Sequence, residues 1–465
     1  MKFMALKDFA DFVFSLGKKR GFEECQIHFA REHEFEIHVS KGKVETFKDA
    51  DYFSVSFKGL REGKCGRARV EALDKEVAKL LVEEALSNLQ VIDSSDMELL
   101  HDGSGDYVDV DYYKGNYERL GSSQKVEMAK ELERTALATD KRIVMAPRNV
   151  FGHVTSEEVI MNTLGLEKAF TNDGGYAYTM VLASDGKTPK SGFKLKVSKT
   201  PEELDVQDIA RKAAREALAL LGATSVESGR YNVIIRRDVV AEMLGRFSSI
   251  FSAEDVQKKM SPIKDKLGQM IAAPVLNLFD DPFIPESFTS RPFDSEGVPT
   301  SRKAVIEKGK LATYLYDLKS AHKDGVKSTG NAVGSTIAPI NISLKGEEEL
   351  PFQELLKRVK KGILVIGVDG LHSGADPISG NFSLGARGYL VKDGEIVQPV
   401  EQITISGNFV DMLTAVKAVE EERKAKVVQV LAMVDRLQGG RETIVAAGYD
   451  FTALFTVEDL GVAVE

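Results

Sequence analysis

The chain has no tryptophan, two cysteines and seven histidines in 465 residues. Cys25 and Cys65 lack the Cys-x-x-Cys spacing of a thiolate metal site, and two thiols cannot build a disulfide framework. No stretch approaches the ~18 uninterrupted apolar residues of a membrane span. The opening MKFMALKDFADFVF sets Lys7, Asp8 and Asp11 where a secretory leader needs an apolar run, so a cytoplasmic protein is expected. Excess basic charge is missing as well. Lys and Arg total 62 against 71 Asp and Glu, a formal charge of −9, which makes a generic nucleic-acid binder an unfavoured reading. The local basic stretches Lys187–Lys199 and Lys258–Lys266 read as solvated surface. A phosphate-cradling Gly-x-x-x-x-Gly-Lys-Ser/Thr loop is absent, and Gly380–Gly385 has the wrong spacing for a nucleophile elbow.

What is present describes a folded chain: 43% apolar and 29% charged residues, too long for one ordinary core. The fold class expected is α+β in two domains. Residues 1–229 begin with an amphipathic helix (Leu6, Phe9, Val13, Leu16) and antiparallel strands from Glu24 to Val70, turning at Lys41-Gly42-Lys43 and Gly63. Helices follow at Lys75–Leu89 and, capped by Ser122 or Ser123, up to Leu137. Between them, Asp93–Asp111 reads as a long acidic loop. Further strands span Ile143–Val197, with turns at Gly174-Gly175 and Asp185-Gly186, before a helix at Val206–Leu221. Residues 230–423 open with a strand and the helix Asp238–Phe251, and are otherwise mostly β. They include hairpins at Lys308-Gly309-Lys310, between strands Ala304–Glu307 and Leu311–Tyr316, and at Asp393-Gly394. A helix is expected at Phe409–Val419. Residues 424–465 form an atypical β-α-β tail.

Three blocks carry a family resemblance: Leu267–Pro282 (LGQMIAAPVLNLFDDP), Pro292–Ala332 (with SEGVPTSRKAVIEKGKLATYLYDLKSA, then STGNA) and Gly374–Gly407. Their order and content resemble the TldD/PmbA family, known as modulators of DNA gyrase, on the PmbA (TldE) side. The resemblance ends near Val419. Beyond it, AKVVQVLAMVDRLQGGRETIVAAGYDFTALFTVEDLGV resembles the end of orotate phosphoribosyltransferases, but no donor-binding loop precedes it, so no transferase chemistry is carried over.

The resemblance implies a two-subunit metalloprotease. Its catalytic TldD subunits carry His-Glu-x-x-x-His on a helix early in the C-terminal domain. Zinc needs about three such ligands and an open position for water. Here that helix reads DVVAEMLGRFSSIF, without histidine. Asp238 and Glu242 share a face at i, i+4, but two carboxylates are a poor zinc set and ordinary surface charges are the plainer reading. A literal His-Glu-x-x-x-His stands at His33–His38 within strand-like alternation, where residues five apart point to opposite faces. His28 and His38 could meet across a tight hairpin, a two-ligand site at best.

The resemblance therefore implies a PmbA/TldE-like subunit of a TldD–TldE-type protease for unfolded polypeptide, with no catalytic residue, metal or cofactor of its own. Zinc is expected in a TldD-like partner, and a homodimer when that partner is absent. Whether the chain is itself an enzyme stays open. Candidate substrate or partner contacts are the surface loop Ser328, Thr329, Gly330 and Asn331, the loop Asn381, Phe382 and Ser383, and His372, which could line a cleft. An active metallopeptidase with an unusual site using His372 or His322, or a binding modulator of a nucleic-acid enzyme such as gyrase, remain alternatives.

Overall fold

A computed structural model describes residues 3–91, 96–347, 349–420 and 430–435. The apolar repeat at the start becomes α1 (Phe3–Lys19), whose Leu6, Phe9 and Val13 are buried. The chain continues through β1 (Glu24–Ser40), β2 (Lys43–Arg61), β3 (Lys64–Val70), α2 (Lys75–Gln90), α3 (Ser122–Thr139), β4 (Ile143–Asn162), β5 (Glu167–Ala183), β6 (Lys190–Ser198) and α4 (Val206–Ala219). The strands form one antiparallel sheet in the order β3-β2-β1-β4-β5-β6. Helices α1 and α2 cover one end of it over Phe29, Val55 and Phe57. Helices α3 and α4 cover the other end over Phe35, Ile37 and Phe151. At each edge strand a glycine admits helix backbone: a Cβ on Gly66 or on Gly192 would stand 2.1 Å from the carbonyl oxygen of Ala85 or Ala213.

The X-Gly turns behave as their chemistry demands. Lys41 and Gly42 (φ 52° and 70°), and Glu62 and Gly63 (53° and 74°), have the paired positive φ of two-residue hairpin loops. Gly174-Gly175, expected as a turn, lies inside β5 instead. The bare Cα atoms are needed for packing: Phe288 rests on Gly174 and the Tyr117 ring on Gly175. Gly121, rather than Ser122 or Ser123, caps α3, and its N–H donates to Gln124 Oε1 at 3.0 Å.

The second half contains β7 (Arg230–Ile235), α5 (Arg237–Phe247), α6 (Ala253–Gln257), β8 (Leu276–Asp280), β9 (Lys303–Glu307), β10 (Lys310–Leu311), α7 (Leu318–Asp324), β11 (Ala332–Val333) and β12 (Thr336–Ile337). It continues with β13 (Ile342–Gly346), β14 (Glu349–Leu350), α8 (Phe352–Val359), β15 (Lys361–Asp369), α9 (Leu371–Gly374), β16 (Asn381–Lys392), β17 (Glu395–Asn408), α10 (Phe409–Thr414), β18 (Ala418–Glu420) and β19 (Val430–Asp435). One sheet runs β10-β9-β8-β13. The larger runs β14-β18-β19-β17-β16-β15-β7, and β19 also pairs with β7, closing five strands into a ring. A single core centred on Phe247, Phe251, Val365, Leu384 and Phe409 unites α5, the ring and the smaller sheet.

The expected strand Leu311–Tyr316 is only β10. Tyr314, Leu315 and Tyr316 are buried, and Leu315 makes one isolated bridge to Ser252. Helix α10 stops at Thr414, and the chain then supplies β18. Of the expected β-α-β tail only β19 falls among the described residues; the helix and last strand lie outside them. The halves meet through polar contacts (Lys190 with Glu401, Asn172 Nδ2 donating to Ser290 O at 2.8 Å, Tyr107 Oη donating to Gly297 O at 2.7 Å) and through an apolar cluster of Ile160, Leu166 and Phe170 with Phe293.

Candidate functional site

The Ser328–Asn331 segment is half buried, not a free surface loop. Gly330 (φ 68°) passes so close to Pro299 that a Cβ would stand 2.7 Å from its carbonyl oxygen. Ser328 Oγ donates to Tyr316 O at 3.0 Å, and Thr329 Oγ1 accepts from Tyr316 N at 2.7 Å. Asn331 has no exposed surface. Its Nδ2 donates to Asp280 Oδ2 at 2.7 Å and to Ala338 O at 3.0 Å, in a buried node that Lys303 neutralises at 3.1 Å. These side chains are engaged in tying the loop to β8.

Asn381–Ser383 is likewise not a loop but the start of β16. Alternation sends Phe382 into the core, edge-on to Phe247, and leaves Asn381, Ser383 and Gly385 outward. Asn381 Oδ1 accepts from Asn408 Nδ2 at 3.0 Å. The outward row ends at Arg387. Its guanidinium lies over Gly367, where a Cβ would come within 2.6 Å of Cζ, and Nη1 reaches Asp369 Oδ2 at 3.2 Å. Arg387 Nε is buried without a partner.

Helix α5 packs on the inward face of β16, with Val240, Leu244 and Phe247 in one core with Phe382, Leu384 and Ala386. Arg236, just before it, holds Asp238 with Nε and Nη2 at 2.6 and 2.7 Å and Glu216 of α4 with Nη1 at 2.5 Å. Burial opposes ionisation of Asp238, but the Arg236 hydrogen bonds win and hold its carboxyl below the usual range. One turn on, Glu242 has no hydrogen-bond or ion-pair partner among the described residues. Burial, then the charge of Asp238, raises its pKa, partly offset by Arg387 and Arg236. Arg246 donates to Leu371 O (3.0 Å) and Ala375 O (2.7 Å), pinning α9 and its exposed His372 beside α5. Sequence reasoning passes over Arg387 because nothing but the fold brings it opposite Glu242.

A zinc ion does not fit here. The donors on α5 are two carboxylates, one already gripped by a guanidinium, and no imidazole lies on the helix. Among the described residues no group of three His, Cys, Asp or Glu side chains is arranged to hold a metal ion. His33 and His38 project from one strand with separate partners, Asp49 Oδ1 at 2.8 Å and Pro147 O at 3.1 Å. His28 also lies on β1, about 33 Å of extended chain from His38, so no hairpin brings the two together. His322 is exposed on α7. His153 is buried on β4, its ring stacked between Phe35 and Tyr117, with Nε2 2.7 Å from the buried Lys125 Nζ.

The model of the PmbA/TldA metallopeptidase central domain matches residues 116–221, and that of the C-terminal domain matches residues 228–446. A solved structure from Thermotoga maritima, described as a modulator of a DNA gyrase, is 39% identical, covers 92% of this chain and 99% of that one, and superposes with a TM-score of 0.86. The chain belongs to the PmbA/TldD metallopeptidase family. The Metalloprotease PmbA homolog of Buchnera aphidicola is 30% identical over 64% of this chain and 65% of its own, and Metalloprotease PmbA of Escherichia coli O157:H7 is 29% identical over 63% and 64%. This chain thus spans just under two thirds of those curated relatives. TldE from Thermococcus kodakarensis shares the fold, with a TM-score of 0.81 at 22% identity over 92% of this chain and 100% of that one. The C-terminal family match runs past Val419 to residue 446, so β18 and β19 lie within that family domain.

Proposed function

We propose that this chain is the PmbA/TldE-like subunit of a TldD–TldE-type cytoplasmic metallopeptidase that acts on unfolded polypeptide. One observation carries the reading. The helix that resembles the family's metal-binding helix presents Asp238 and Glu242 among Arg236, Arg246 and Arg387, with no imidazole. The Arg236 guanidinium already occupies the Asp238 carboxylate. Zinc belongs to a TldD-like partner, where it would supply the activated water. This chain's part is to complete the enclosure and to contact substrate along the outward row of β16.

The test mixes the purified chain with a relative bearing His-Glu-x-x-x-His and follows cleavage of an unfolded fluorogenic peptide. Alone, the chain should release no product above background. With the partner, cleavage should rise by orders of magnitude and stop on chelation. Chelator-sensitive cleavage by the single chain, with partner contamination excluded by mass spectrometry, would overturn the assignment.

A further inference from the structure

The stretch Lys187–Lys199 reads in sequence as a basic surface, but the fold turns its lysines elsewhere. Alternate positions of β6 point to opposite sides of the sheet. Lys190 pairs with Glu401, Lys194 with Glu216 of α4, and Lys196 donates to Glu203 O, all on the side that α4 covers. The buried Lys199 donates to Tyr112 O at 3.0 Å. The intervening residues Phe193, Leu195 and Val197 stand on the face away from α4. There the register sets them opposite Met180, Tyr178 and Tyr176 of β5. The Tyr178 ring lies 5.7 Å from that of Phe193 and is stacked on Tyr176 at 6.4 Å.

This apolar surface is left open. Met180, Phe193, Leu195 and Val197 are 36%, 40%, 53% and 37% exposed. For side chains of this size, that amounts to roughly 300 Å² of contiguous apolar surface, enough to be functional on a folded chain. It is less than half of the ~800 Å² that a stable protein partner covers on each side. The area therefore suits a short segment better than a folded partner. Charge is confined to the rim: Glu36 of β1 accepts from the Tyr176 hydroxyl at 2.7 Å, and Arg148 of β4 stands opposite Met180. Contact across the face itself is apolar and makes no demand on the sign of a ligand's charge. The same face of β5 continues past Tyr176 to Gly174, where Phe288 of the second half rests, itself 39% exposed. The apolar track thus runs from the edge strand of the sheet to the junction of the halves.

Folded proteins bury side chains that would fit such a track, whereas an unfolded polypeptide presents them. In an extended chain every second residue points the same way, about 7 Å apart. Phe193, Leu195 and Val197 repeat with that period. We infer that the β5–β6 face binds an extended, apolar-rich stretch of unfolded polypeptide through Phe193, Leu195, Val197 and the rings of Tyr176 and Tyr178. The choice of polypeptide rests on the proposed function. The site adds to it a surface on the first half of the chain, and a selection by apolarity in place of charge.

The experiment measures fluorescence anisotropy of two dye-labelled, amidated peptides titrated with the purified full-length chain, Ser-Leu-Ser-Phe-Ser-Val-Ser and Ser-Ala-Ser-Ala-Ser-Ala-Ser. The first should bind about tenfold more tightly or better, the scale of covering a few large apolar side chains. The double variant F193S/L195S should erase the difference with the melting temperature unchanged, since both side chains are exposed. L80S, which removes a 51% exposed apolar side chain from α2, should leave the difference intact. Equal affinity of the wild-type chain for the two peptides, no binding of either, or a preference that survives F193S/L195S overturns the site. So does a wild-type dimer in light scattering that the double variant converts to monomer while neither peptide binds, which would assign the face to a second copy. Because no cleavage is measured, failure here leaves the metallopeptidase assignment standing, and the mixing experiment tests that assignment alone.

Discussion

Asp294 has no exposed surface, yet its carboxylate accepts backbone N–H groups from Glu296, Val298 and Ala332 at 2.9–3.0 Å. Those donors favour the charged form. Burial, reinforced by neighbouring Glu296, outweighs them and pushes the pKa up to about 7. A carboxyl raised above its unfolded value holds its proton more tightly in the native state. Its contribution is therefore fully present below about pH 4 and is lost as pH rises through about 7. Chemical-denaturation stability should decline between about pH 4 and 7, and E296Q should move the end of that decline to lower pH by removing the like charge. A profile unchanged in E296Q would show the two carboxylates to be uncoupled. Lys125 and His153 pose the opposite case, a buried amine whose recorded partner is an imidazole with an unpartnered Nδ1. Burial lowers the pKa of both. Replacing the pair together by apolar side chains, K125M with H153F, should stabilise the protein by about 1–4 kcal/mol, as for other poorly compensated buried charges. K125M alone should not, because it strands His153 Nε2 in the core. Thermal melts of the three variants decide between these outcomes.

Helices and strands in this protein approach as closely as glycine allows. The α2 and α4 backbones come down onto β3 and β6 at Gly66 and Gly192, and β15 presses on β16 at Gly388, where a Cβ would stand 1.9 Å from Leu364 O. Each obstacle is backbone, so a methyl group cannot be accommodated by a rotamer change. G66A, G192A and G388A should each destabilise the fold by about 2 kcal/mol or more. G245A, on the open face of α5, should be neutral or slightly stabilising through helix propensity. Equal melting temperatures for G192A and G245A would contradict this account of packing. The elements themselves were largely legible. Apolar periodicity and X-Gly turns located α1, α2 and the hairpins at Lys41-Gly42 and Asp393-Gly394, because these signals are local. Gly174-Gly175 misled because glycine serves close approach as well as turning, and only the partner rings of Tyr117 and Phe288 tell which. Leu311–Tyr316 misled because apolar residues on a buried irregular segment look like a strand.

At the scale of the whole molecule, the two halves are joined by the apolar cluster around Phe293 and by polar contacts. The ion pair of Lys190 with Glu401 and the chain Lys194, Glu216, Arg236, Asp238 run from the first sheet into α5. Glu216 and Lys190 are largely buried, so severing one partner leaves an uncompensated charge. R236M should destabilise the protein by about 3 kcal/mol, since α5 loses the anchor at its start and Glu216 one of its two cations. An unchanged melting temperature would contradict this. Association is a further property at this scale. The chain alone is expected to dimerise, and light scattering at tens of micromolar protein, well above a ~1 μM dissociation constant, should show twice the 51.1 kDa chain mass. A monomer would overturn the expectation of a homodimer.

The sequence by itself determined the fold class, the family through three ordered blocks, and the absence of imidazole from the helix that became α5, because each depends on residue identity along the chain. Tertiary structure decided which of the singled-out side chains are available. Asn331 and Phe382 stand in motifs as prominent as that of Ser383, yet burial against Asp280 and Phe247 commits them to the fold. It also decided which charges feel one another. Glu242 and Arg387 are separated by more than a hundred residues and belong to no common motif, and only the fold brings the charge of Arg387 to bear on Glu242. Charge, unlike periodicity, has no local signature of its partner, so only the folded chain could show that Arg387 pairs with Asp369 while Glu242 has no ion-pair partner among the described residues.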